Sequence, residues 1–175
     1  MGIFSFLSEK PATRIIKNLY LGDKNNVPAD ADYIMVCSKE LLKQYKKRNN
    51  MNLSTNEEFI IAKHGKIAFA RLQDWPKLKN INLETTIRIL NWIDEKLAQN
   101  AKVYVHCMLG VNRSASHVFM YCVIKGYINQ KKYKLAMKEF KEIYPGINPL
   151  FGWSKLLKIY FPYTQFLTNE IKANK

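Results

Sequence analysis

The chain has 175 residues, 47% of them hydrophobic, with 28 Lys and Arg against 14 Asp and Glu and a net charge of +14. That length and composition suit a single domain spanning 1–175 around one buried core and exclude a disordered chain. No apolar run is long enough to span a bilayer, and three scattered cysteines, Cys37, Cys107 and Cys122, exclude a disulfide framework and a structural zinc site.

Met1–Lys10 is mildly apolar (Ile3, Phe4, Phe6, Leu7) but lacks a basic leader and a small-residue cleavage site, so no secretory signal is expected. Gly2 follows Met1, yet Phe6 stands where a myristoylation signal needs Ser or Thr. Residues 14–21 read as one extended segment ending at the Gly22-Asp23 turn. Residues 33–37 (YIMVC) read as a buried strand and 39–48 as a basic helix, with 49–57 as a polar loop. Short strands follow near 58–62 and 67–72, with His64-Gly65 as the turn between them. Ile87, Leu90, Ile93 and Leu97 recur at helical spacing and predict a helix over 82–98 that Asn82 can cap. Residues 102–106 (KVYVH) read as a strand. Helices are expected over about 113–125, closed by Gly126, and over about 131–144, stopped by Pro145-Gly146. A last helix is expected with Asn148 as cap and Pro149 at its first position, ending near Pro162. Strands early and helices late, around one strand–loop–helix unit, predict an α/β domain.

The chemistry concentrates in 102–116, KVYVHCMLGVNRSAS. A strand runs into a tight loop and the loop into a helix, a place where backbone amides and a helix N-terminus converge on an anion. Met108, Leu109, Gly110, Val111, Asn112 and Arg113 would supply the cradle. Gly110 lets the backbone turn, and the planar fork of Arg113 can hold two phosphate oxygens. Cys107 faces this positive cradle from the strand end. Alone it would read as an inert core thiol; here its surroundings favour the thiolate a nucleophile requires.

The run His106, Cys107, Gly110, Arg113, Ser114 resembles the His-Cys-five residues-Arg-Ser/Thr signature of the protein tyrosine phosphatase superfamily. The resemblance is to its small dual-specificity branch and covers roughly 13–160, leaving short extensions at both ends. Asn18-Leu19-Tyr20-Leu21-Gly22 is similar to that branch's opening element, Gly110–Ser114 to its viral members, and INPLFGW (147–153) to the segment before its last core helix. The family has Pro-Asn there, whereas Leu150 follows Pro149. The Asn contact that steadies the loop is therefore absent or comes from Asn148 or Asn112. The resemblance implies a mixed, mostly parallel sheet flanked by helices. It implies a cysteine-dependent phosphatase acting on phosphotyrosine and phosphoserine/threonine in proteins through a phosphocysteine intermediate, with no cofactor and no metal.

The family draws its general acid from a mobile loop about thirty residues before the cysteine. Of five aspartates, Asp74 lies 33 residues ahead of Cys107, in Asp74-Trp75-Pro76, where Pro76 disfavours helix at Trp75. Asp94 falls within a helix and reads as a solvated face residue. Ser114 can donate to the Cys107 sulfur, or serve only as a helix cap. His106 is expected to orient the loop, His117 to be structural and Cys122 to fill the core. Cys37 ends a strand expected beside the one ending at Cys107, which makes it a candidate redox partner, or only a small core residue.

Two other functions remain open on the sequence. A similar Gly-x-Asn-Arg loop occurs in RNA 5′-triphosphatases of the superfamily, and a non-catalytic phosphate-binding module would keep the same cradle. A phosphoinositide phosphatase would place Lys inside the loop, where Met108, Leu109, Val111 and Asn112 stand. The charge fits an acidic or RNA partner. It also fits a skewed coding composition, because 23 of the 28 cations are Lys alongside 16 Asn and 17 Ile. An intracellular setting is expected: cytoplasmic, or within a virion if the viral likeness extends to the source.

Overall fold

The computed structural model describes residues 12–54 and 56–167. The amino-terminal segment read above for signal and lipid motifs, and the chain beyond 167, lie outside these residues. Six strands form one sheet in the order β1-β2-β6-β3-β5-β4. They are β1 Thr13–Ile16, β2 Leu19–Gly22, β3 Tyr33–Cys37, β4 Phe59–Ala62, β5 Ile67–Ala70 and β6 Val103–His106. The four inner strands run parallel, while β1 and β4 lie antiparallel on the two edges. The α-helices are α1 Lys39–Arg48, α2 Leu83–Ala98, α3 Arg113–Ile124, α4 Tyr133–Ile143 and α5 Phe151–Ile159.

Strand alternation sends side chains to two faces. Leu19, Leu21, Met35, Cys37, Ala68, Ala70, Val103 and Val105 join the main core with the apolar faces of α2 to α5. Val36 and Phe69 point the other way, to a smaller cluster closed by Leu42 of α1. All twelve residues of α3 are buried, as expected for a helix threaded through the middle of a core rather than laid on its surface. Fully burying each large apolar side chain contributes about 1.5–3 kcal/mol, so α3 anchors the sheet end that feeds into it. Asn82 caps α2 as expected, its Oδ1 accepting from Glu84 N at 2.9 Å and Thr85 N at 3.3 Å.

Three expectations are corrected. Residues 14–21 are not one extended segment. Asn18 takes a left-handed φ of 65°, which Asn tolerates, and the chain reverses there into a β1–β2 hairpin. Asn148 does not cap the last helix. Its backbone N–H is spent on Val111 O at 2.7 Å, and the helix starts two residues later than expected, at Phe151 behind Leu150. Asp94 is not a solvated face residue. It is buried, accepts from the Tyr121 hydroxyl at 2.8 Å and pairs with Lys125 Nζ at 3.3 Å. A helix face packed on another helix has no sequence mark that separates it from a wet one.

Candidate active site

Parallel strands carry their following loops to one edge, so the segments after β3, β5 and β6 meet there. Cys107 leaves β6 at this edge and is 2% exposed. The loop behind it is shaped by its carbonyls. His106 Nδ1 donates to Cys107 O at 2.9 Å, Lys24 N to Met108 O at 3.3 Å, the Tyr144 hydroxyl to Gly110 O at 3.0 Å and Asn148 N to Val111 O at 2.7 Å. Peptide planarity sets each carbonyl opposite the next N–H. Four carbonyls so engaged leave the amides of Met108, Leu109, Val111 and Asn112 on the opposite side of their peptide planes, the kind of arrangement that can bind an anion. Gly110 has φ 73°, and a Cβ there would collide with the backbone of Gly22.

Arg113 opens α3 and is 1% exposed. Its Nη1 donates to Glu40 Oε2 at 2.5 Å, Leu72 O at 3.1 Å and Ser38 Oγ at 3.4 Å, which fixes the plane of the guanidinium fork. Nε faces Asp74 Oδ1 at 3.1 Å as an ion pair without hydrogen-bond alignment. Burial opposes its charge, but the charges of Cys107, Glu40 and Asp74 outweigh burial and hold its pKa above the ordinary value. At Glu40 burial pushes the pKa up, and hydrogen bonds from Ser38 and Arg113 more than reverse it.

The Ser114 hydroxyl donates to Cys107 Sγ at 3.2 Å. Asp74 arrives from the loop after β5. Asn112 Nδ2 donates to its main-chain O at 2.6 Å and to its Oδ1 at 3.0 Å, while Asn112 Oδ1 accepts from Leu150 N at 2.9 Å. Asn112 therefore is the steadying asparagine, and it ties acid loop, phosphate loop and α5 together. Two further bonds hold the acid loop: Trp153 Nε1 to Gln73 O and Gly152 N to Pro76 O, both 2.9 Å. His106 is buried, which lowers its pKa, and its bond to a carbonyl requires the proton on Nδ1. His117 Nδ1 likewise donates to Arg113 O at 2.8 Å, so its place is structural. Cys122 is fully buried, which pushes its thiol up to about 12. Cys37 is also a free, fully buried thiol. Val36 pairs with His106 across adjacent strands, so Cys37 and Cys107 leave the sheet side by side.

Sequence reasoning missed Glu40, Ser38 and Tyr144. Glu40 had one available mark: it is the sole acid in the basic run KELLKQYKKR, three residues after a strand that ends at the same edge as Cys107.

A thiol in an amide-lined loop, with a buried arginine and a carboxylate beside it, is the arrangement of cysteine-dependent phosphatases. The family model described as dual specificity phosphatase, catalytic domain, matches residues 31–161, and the chain belongs to that family of protein phosphatases. It is 29% identical over 159 residues, 90% of its length, to a probable rhodanese domain-containing dual specificity protein phosphatase of Dictyostelium discoideum. It spans 30% of the length of that relative. Its fold matches that of DUSP15 with a TM-score of 0.67 at 13% identity, covering 95% of this chain and 96% of the other. Human DUSP28 matches with a TM-score of 0.62 at 15% identity, covering 90% and 97%. The human tyrosine phosphatase-like serine/threonine/tyrosine-interacting protein matches at 0.61 and 20% identity, covering 87% and 96%.

Proposed function

We propose that this chain hydrolyses phosphotyrosine and phosphoserine/threonine esters in proteins through a phosphocysteine on Cys107. The observation that carries the reading is the convergence of Ser114 Oγ on Cys107 Sγ at 3.2 Å with Arg113 facing Asp74 at 3.1 Å across one anion cradle. Arg113 and the loop amides hold the non-bridging phosphoryl oxygens. The Cys107 thiolate attacks phosphorus, the P–O ester bond breaks, and the Asp74 carboxyl gives its proton to the departing oxygen. Water then attacks the phosphocysteine and loses its proton to the Asp74 carboxylate. The P–S bond breaks, and the Ser114 hydroxyl donates to the departing sulfur. Glu40 acts through Arg113 as a positioning residue. The test offers the enzyme an aryl phosphate, pTyr and pSer/pThr peptides, and triphosphate-ended RNA. Phosphate release from the peptides is expected. Release from RNA alone would move the reading to the triphosphatase, and peptide binding with no release from any substrate would move it to a binding module.

Cys37 is read as a resolving thiol. Peroxide converts the Cys107 thiolate to a sulfenic acid and leaves hydroxide; the Cys37 thiol then displaces water from it to form a disulfide. Burial, and next the neighbouring Cys107, raise the Cys37 pKa, so little of the attacking thiolate is present and resolution is slow. Peroxide-treated enzyme regains activity with dithiothreitol, and Cys37→Ser loses that recovery. Equal recovery in both would assign Cys37 to packing alone.

A further inference from the structure

Beside the phosphate loop the protein exposes apolar side chains that its own core does not use. Trp75 is 67% exposed, Phe151 62% and Leu109 47%. The first two are in contact, with ring centroids 6.1 Å apart and planes tilted by 47°. Leu109 belongs to the loop itself. Exposed apolar side chains in contact with each other mark a binding surface more often than chance placement does.

The backbone supports the same conclusion. Phe151 sits at φ 52°, a left-handed conformation that an aromatic residue rarely adopts. It is held there on both sides: Leu150 N donates to Asn112 Oδ1 and Gly152 N to Pro76 O. A Cβ on Gly152 would come within 2.5 Å of Pro76 O, so the absence of a side chain is what allows this approach. The fold thus spends an unfavourable conformation to keep a phenyl ring in water against an indole.

Position decides what the pair would meet. Trp75 directly follows Asp74, the proposed donor to the departing oxygen. Whatever carbon that oxygen carries must pass the residue beside the donor. In a phosphothreonine ester that carbon is Cβ, one bond from the peptide backbone. In phosphotyrosine it is a ring carbon, and the rigid ring extends away from the phosphate along the rim. Offset or tilted stacking on an indole and a phenyl is available only to the second.

We propose that Trp75, Phe151 and Leu109 form an aryl-binding ledge that makes phosphotyrosine the preferred substrate of this site; the proposal rests on the phosphatase reading above. Trp75 and Phe151 are specificity-determining residues here, and neither takes part in proton or phosphoryl transfer.

The experiment compares pTyr and pThr peptides with identical flanks. Wild type, Trp75→Ala, Trp75→Phe and Phe151→Asn are measured for kcat and KM, and the same substitutions in Cys107→Ser for peptide Kd. Asn is chosen at 151 because it tolerates the left-handed backbone. Loss of one aromatic partner is expected to lower kcat/KM on the pTyr peptide about tenfold, mainly through KM, and to weaken binding to Cys107→Ser by a similar factor. On the pThr peptide the loss should stay below about threefold, and Trp75→Phe should restore most of the pTyr activity. Equal losses on the two peptides, a loss confined to kcat, or no loss on pTyr would overturn the ledge while leaving the phosphatase reading intact. A wild type inactive on both peptides, with no binding to Cys107→Ser, would remove that reading and the ledge with it.

Discussion

Asp74 and His117 show how the surroundings of one side chain decide its work. Asp74 stands by the cradle with Asn112 on its Oδ1. In the proposed role of general acid it would matter most where the leaving oxygen is basic. Asp74→Asn should therefore lower kcat by about 10²–10⁴-fold on alkyl phosphates and by much less on an aryl phosphate with a good leaving group. Equal losses on both, measured in parallel, would point to another acid. His117 is fully buried, and burial lowers its pKa from the ordinary histidine value of about 6.5 to about 4. The unfolded chain then binds a proton that the folded one refuses across that window. Stability is complete above about pH 6.5 and is lost as pH falls toward 4, by about 2 kcal/mol at pH 5. Urea unfolding at pH 7 and pH 5 should show that difference in wild type and lose most of it in His117→Gln; an unchanged difference would place the titration elsewhere. Cys107, Arg113 and Ser114 were legible in the sequence because one loop must hold them at fixed spacing. Asp74 was legible only by its distance from Cys107. Glu40 carried only the mark of a lone acid in a basic run, and the burial of Asp94 was not legible, since it depends on which element packs against α2.

At the scale of elements, the loop that carries Asp74 is fastened from two sides. Asn112, Trp153 and Gly152 reach it from the phosphate loop and α5. The resemblance to a family with a mobile acid loop suggested a freer segment. Here the tight approach of Gly152 to Pro76 favours a loop held near its working position. Gly152→Ala must push the two backbones apart, and displacing a catalytic group by about 1 Å can cost up to 10²-fold. That variant should lose kcat on peptide substrates while its far-UV circular dichroism stays native. Full activity would show that the fastening is incidental. Helix α2 was readable to within a residue because its cap and apolar stripe agree. The start of α5 was not. Asn148-Pro149 carries a sound capping pattern, but the Asn148 N–H anchors that segment on Val111 O and the helix begins only at Phe151 behind Leu150.

For the whole molecule, the topology explains why distant stretches form one site. Placing β6 between β2 and β3 sets Cys107 beside Cys37, with α1 and the acid loop on the same edge. Sequence patterning predicted an α/β domain, and the family resemblance implied the mostly parallel sheet that β2, β6, β3 and β5 form. It did not reveal the β1–β2 hairpin, whose reversal rests on the single left-handed residue Asn18. The net charge of +14 describes the field that a phosphorylated substrate would enter and does not identify that substrate. The central claim is that turnover passes through phosphate bound to Cys107. It is tested most directly by quenching the enzyme during hydrolysis of a labelled phosphopeptide, mapping the label, and comparing phosphate release with Cys107→Ser. The account predicts label on the Cys107 peptide alone and release by Cys107→Ser reduced by roughly 10³-fold or more. Label on another residue, or release by Cys107→Ser within about tenfold of wild type, would contradict it.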